Sequence, residues 1–252
     1  MDLVLRRLTP TKGFSSLAHN SLLAALPLII FALVRLNESQ FTTLAIILVI
    51  LSKWRMFAVR PRFWPANIRA NAVDLMVGIS IVLFMTHSLS AWIQLGWAAA
   101  YAAWLIYLKP ATSSLMISLQ AGIGQLCALS ALYIAWAGGP LYALTIFTGL
   151  ICYLAARHFY DAFDESYSRL LSYLWAYFAA ALVWVLGHWL LFYGVLAQPT
   201  VFLTAIGYGV GAIYYWDHLD RLSKGLRRQF VLVMVVIILV VIIFSDWGSK
   251  VV

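Results

Sequence analysis

Long apolar runs separated by short polar stretches repeat from one end of this chain to the other. A helix needs about 20 such residues to cross a hydrocarbon core of about 30 Å. The runs predict helical spans at about 18–35, 40–57, 70–88, 91–108, 113–136, 140–156, 170–193, 199–216 and 229–245. The second is the shortest in clean apolar sequence, Phe41–Leu51, and reaches full length only if Lys53 and Arg55 snorkel toward headgroups. Gly138, Gly139 and Pro140 separate spans five and six, and Pro199 opens span eight, where a helix tolerates proline. The expected fold class is all-α: a polytopic transmembrane helical bundle of about nine spans. It forms a single integral membrane domain over 1–252 with no soluble domain.

Composition agrees with this. Hydrophobic residues make up 64% of the chain and charged residues 10%, against about 25% charged in a soluble domain. A water-soluble globule has too little interior to hide so much apolar surface. The first run follows Arg6, Arg7 and Lys12 as a signal peptide would, but no small-x-small site follows at Val34–Glu38, so an uncleaved first span is expected. Cys127 and Cys152 fall inside apolar runs and read as small buried hydrophobes.

Charge sets the orientation. The net charge is +8, and the Lys and Arg residues lie between the runs. With the N-terminus cytoplasmic, the inner segments hold Arg6, Arg7, Lys12, Lys53, Arg55, Arg60, Arg62, Arg69, Lys109, Arg157, Arg169, Arg221, Lys224, Arg227 and Arg228, which is 15 of 17. Only Arg35 and Lys250 fall outside, as the positive-inside rule requires, and the C-terminus becomes external. Orientation therefore accounts for the basic balance without a nucleic-acid partner. The partners implied are membrane lipids, anionic on the cytoplasmic side, and a membrane-protein subunit. A cell membrane of the bacterial inner type is the expected compartment.

Few polar groups enter the spans, and ionisable groups there are functional suspects. Asp74 lies one turn into span three, with Asn71 and Arg69 just before it; His188 lies in span seven. Gln120 and Gln125 lie in span five, where a glutamine needs a partner because hydrocarbon offers none. Gly207 and Gly211 form a GxxxG pair in span eight, which reads as close helix packing. Span nine, Phe230–Phe244, is apolar all round and belongs at the lipid-facing edge.

Chemistry is sparse. No HExxH, GxSxG or Walker A sequence occurs, and no lysine sits in a span core. Two acidic clusters lie at the inner face: His158, Asp161, Asp164 and Glu165 in one, Asp217, His218 and Asp220 in the other. Solvated ion pairs account for both. The chemical alternative places Mg²⁺ on Asp161, Asp164, Asp217 and Asp220, since that cation takes oxygen ligands and bridges to phosphate. Arg60, Arg62 and Arg69 would then receive the phosphate or an anionic headgroup. Asp161-Ala-Phe-Asp164-Glu165, after span six, stands where UbiA-type prenyltransferases carry their second aspartate motif. Arg69-Ala-Asn71-Ala-Val-Asp74 faintly resembles their first, with one aspartate where that family has several. The nine-span plan is similar too; the resemblance implies a Mg²⁺-dependent transferase acting on a lipid-linked phosphate, and rests on topology and two short motifs.

The missing catalytic motifs favour a non-catalytic membrane component without cofactors: a scaffold, assembly factor or permease-like subunit. The transferase is one alternative, and a passive small-molecule or lipid transporter, with a cavity lined by Gln120, Gln125 and the span-eight glycines, is another. The topology predicts that Arg60→Cys and Lys224→Cys variants are labelled by an impermeant thiol reagent only after the membrane is opened. Labelling of the two from opposite sides would overturn it.

Overall fold

The computed structural model of the chain describes residues 12–36, 39–189, 192–193 and 196–244. The basic N-terminal tail, including Arg6 and Arg7, and the expected external segment from 246 onward lie outside the described residues.

Ten α-helices account for nearly all of it. They are α1 (Lys12–Arg35), α2 (Ser39–Leu51), α3 (Trp64–Ala70), α4 (Ala72–Thr86), α5 (Ala91–Ala103), α6 (Ser114–Trp136), α7 (Leu141–Asp161), α8 (Ser168–Leu186), α9 (Gln198–His218) and α10 (Lys224–Phe244). A π turn, Trp104–Leu108, extends α5, and a two-residue hairpin, β1 (Phe192–Tyr193) with β2 (Leu196–Ala197), precedes α9. Among the described residues, five helices are long and apolar enough to cross a membrane: α5 with its π turn, α6, α7, α8 and α10. A sixth exists if Pro61–Ala70 and Ala72–Thr86, bent by 63°, form one span. Ala24–Arg35 and Gln40–Leu51 are shorter apolar helices. Glycine, tyrosine and Gln198 dilute the apolar character of α9.

Several boundaries depart from the sequence expectation, each for a local reason. Span two was expected to run to 57, but α2 stops at Leu51, where Ser52 Oγ donates to Val49 O at 2.6 Å and competes with the next helical turn. The segment expected as a basic loop, 58–69, contains α3, whose Pro65 sits in the first turn and needs no N–H partner there. Span seven was expected to reach 193; α8 ends at Leu186, before Gly187. A side chain at Gly187 would collide with Leu141 Cδ1.

Packing divides into two halves that meet at α6. One buried cluster joins Val34 of α1, Val49 of α2, Val77 and Met85 of α4 and Tyr101 of α5. The other joins Leu129 and Tyr133 of α6, Cys152 of α7, Ala179 of α8 and Leu203 of α9. Lipid tails are as apolar as leucine, so close packing and internal hydrogen bonds must hold such helices together. Gly78 is one such contact: a Cβ there would lie 2.6 Å from Val49 Cγ1 and 2.7 Å from Tyr101 Oη. Tyr133 and Thr148 share a buried hydroxyl hydrogen bond of 3.0 Å between α6 and α7.

The last helix packs chiefly on α9, and Val241 is its buried residue. Met234 is seated on Gly209, where any Cβ would overlap its Sδ. Gly209→Leu should therefore lower the stability of the detergent-solubilised protein by about 1–3 kcal/mol, the range for overpacking. Met234→Ala in the same chain should recover most of that loss in thermal unfolding.

Candidate functional site

Asp74 occupies the first turn of α4 and is mostly buried. Its Oδ2 takes two ammonium groups, Lys53 Nζ from just beyond α2 and Lys109 Nζ from the end of the π turn, each at 3.0 Å. Its Oδ1 accepts from Trp104 Nε1 at 3.0 Å. The π turn makes this geometry possible. Lys109 N donates to Trp104 O, five residues back, and the extra residue aims both Trp104 and Lys109 at α4. Two cations against one carboxylate leave the node with one net positive charge. Lys53 is 6% exposed and Lys109 35%, so Lys53 depends on this carboxylate while Lys109 keeps contact with its surroundings.

The sequence singled out Asp74 but set beside it Arg69 and Asn71, its chain neighbours. Its partners stand 21 residues before and 35 after it. The signal was the buried carboxylate itself, which requires a counter-charge; which lysine supplies it depends on the fold.

Both span-five glutamines are fully engaged. Gln120 Nε2 donates to Leu108 O at 2.6 Å and Ala111 O at 3.0 Å, at the end of the π turn. His158 Nε2 donates to Gln120 Oε1 at 3.0 Å, the tautomer being fixed by an acceptor that has no hydrogen to give. Gln125 Nε2 donates to Leu203 O at 3.1 Å and its Oε1 accepts from Trp175 Nε1 at 3.0 Å, which ties α6 to α9 and α8. His188 lies beyond α8 in a 3₁₀ turn, exposed, with Nδ1 2.8 Å from Trp184 O.

The acidic residues take separate tasks. Asp161 pairs with Arg157 at 2.8 Å, and Arg157 also donates to Ser168 Oγ at 2.6 Å. Asp164 and Asp220 adopt left-handed backbone conformations, φ 49° and 53°, in the turns after α7 and α9, a role aspartate tolerates better than most residues. Asp217 is exposed at the end of α9. Glu165 accepts from Tyr214 Oη at 2.5 Å and from Tyr167 N at 3.2 Å, and these donors hold its carboxyl below the ordinary value. What joins the two clusters is aromatic: Phe163 packs edge-on against Tyr214 and His218. Among the described residues, no three His, Cys, Asp or Glu side chains are placed to hold a metal ion, so Asp161, Asp164, Asp217 and Asp220 are not gathered as the transferase alternative requires. Arg60 and Arg62 are exposed, Arg62 lying 4.5 Å over the Phe63 ring, and Arg69 is half-buried in α3.

On the other side of α6 is a cavity of about 490 Å³, within the range of roughly 300–1,000 Å³ of small-molecule sites. Its walls are α6 from Leu115 to Leu126, α7 from Ala155 to Tyr160 and α9 from Thr204 to Trp216, with Trp175 and Phe230 closing the sides. Gln125, Gly207 and Gly211 line it, whereas Gln120 is turned to the end of the π turn and His158. The glycines help create the space: a Cβ at Gly211 would reach Phe159 at 3.7 Å. Gly122 is exposed, with open space where a Cβ would stand, so the cavity opens sideways between helices. No family model, curated protein or solved structure matches the chain.

Removing the charge of Asp74 isolates the buried Lys53. Asp74→Asn should cost about 3–5 kcal/mol, the range for breaking one side of a buried pair. Adding Lys53→Met should restore much of the loss, as read from melting of the purified protein in detergent.

Proposed function

We propose that this chain is a non-catalytic, permease-like membrane component whose working site is the cavity between α6, α7 and α9, and that its ligand is the hydrocarbon chain of a lipid. The observation that carries the reading is the cavity's shape and lining. Its lining surface is mostly apolar, with no charged side chain, and it opens laterally at Gly122. From Leu115 to Leu126 the helix rises roughly 16 Å, about half of a hydrocarbon core of ~30 Å. A site one leaflet deep, reached from the side, suits a chain already dissolved in the membrane. The proposed setting is a nine-span protein with a cytoplasmic N-terminus in a bacterial inner membrane, where the cavity belongs to the cytoplasmic leaflet.

The polar groups within reach support binding rather than reaction. Gln125 spends both ends of its amide on Leu203 and Trp175, and Ser118 Oγ donates to Ser114 O at 2.7 Å. Among the described residues, no Asp, Glu, His, Lys or Arg side chain lines the apolar space.

Native mass spectrometry of the gently extracted protein should show retained lipid. Gly211→Leu, which fills the cavity, should lose most of it while melting within a few degrees of the parent; Ala212→Leu should do the same. Unchanged lipid retention in both variants would remove the proposal.

A further inference from the structure

We infer that the cavity's ligand is an anionic lipid, held with its chain between α6 and α9 and its headgroup on the basic residues that open α10. This rests on the reading of the cavity just given and adds the headgroup to it. The cavity wall carries no charged side chain; its amide and its serine are already bonded within the protein, and its one buried unpartnered group is the Thr204 hydroxyl, too little to solvate a charge. A charged headgroup therefore has to remain at the mouth.

The mouth has a defined composition. Trp216 and Phe230 are both lining residues, and the segment between them carries Arg221, Lys224, Arg227 and Arg228 against Asp217 and Asp220. Among the described residues, none of these four cations is in an ion pair, whereas Lys53, Lys109 and Arg157 all are. Arg227 precedes Phe230 by three residues and Met234 by seven, which places it on the side of α10 that faces α9. A chain lying along Phe230 therefore brings its phosphate to Arg227 and Lys224. The other basic stretch, Arg60, Arg62 and Arg69, lies in and just before α3, and no residue of α1 to α5 lines the cavity.

The test uses the full chain, stripped of lipid and returned to nanodiscs of equal phosphatidylglycerol and phosphatidylcholine, with retained lipids counted by native mass spectrometry. The parent should retain phosphatidylglycerol in preference. Each basic residue near an anionic headgroup contributes about five-fold, so Lys224→Gln with Arg227→Gln should bring the ratio close to one without changing total lipid. Arg227→Lys, which keeps the charge, should retain the preference, and Arg60→Gln with Arg62→Gln should leave it unaltered. An unchanged ratio in the first variant, or an equal fall in the last, overturns the inference. A parent that binds both lipids equally also overturns it while leaving the cavity reading intact; a parent whose lipid is indifferent to Gly211→Leu defeats the cavity reading itself.

Discussion

A carboxylate at the margin of a hydrocarbon layer has to be neutralised, and much of this fold is arranged around how Asp74 achieves it. Its two lysines come from the end of α2 and the end of the α5 extension, and a tryptophan takes the remaining oxygen. Three helices that share no continuous sequence are thereby pinned at one end. Gly78, one turn further along α4, lets Val49 and Tyr101 close the same three helices below the pin. Charge and close packing act on the same trio, which suits an environment where apolar surface alone gives no preference for protein over lipid.

The second half is built on a different balance. Gln125 ties α6 to α8 and α9 through two hydrogen bonds, yet between there and the aromatic contact of Tyr214 with Phe159 and Tyr160 a space remains beside α9. Small residues on α9 and α6 leave that gap unfilled, and large aromatic ones, Phe159, Tyr160, Tyr215 and Trp216, border it at one end. An interior of this kind loses dispersion contacts unless something occupies it. That deficit is the physical ground for assigning it a hydrocarbon ligand.

The sequence was informative about elements and poor about partners. Apolar run length placed the helices, because the thickness of a bilayer constrains it directly. The edge position of α10 was readable from the lack of any polar face over Phe230–Phe244. Gln125, Gly207 and Gly211 stood out as polar and small residues in apolar surroundings, and they do line the cavity, whereas Gly209 receives Met234. Gln120 carried the same signal and went elsewhere, to two carbonyls and His158. Five residues apart, the two glutamines lie roughly 140° apart around α6, so periodicity separates their faces; that the face of Gln120 meets the end of the π turn is what periodicity does not reveal. The acidic clusters misled for a related reason. Proximity of the α7 and α9 ends could be guessed, but the contact is made by rings and by one carboxylate, Glu165 on Tyr214, and not by a gathering of aspartates.

The π turn at Trp104–Leu108 sets the register of everything that follows it on that helix. Each residue of an α-helix advances about 100° around the axis. A homologous chain one residue shorter in this turn would regain regular winding, and Lys109 would swing away from Asp74 to face the bilayer. Deletions here should therefore be far less tolerated than substitutions, and a compensating lysine elsewhere on the α5 extension would mark a lineage that had found another way to satisfy the same carboxylate.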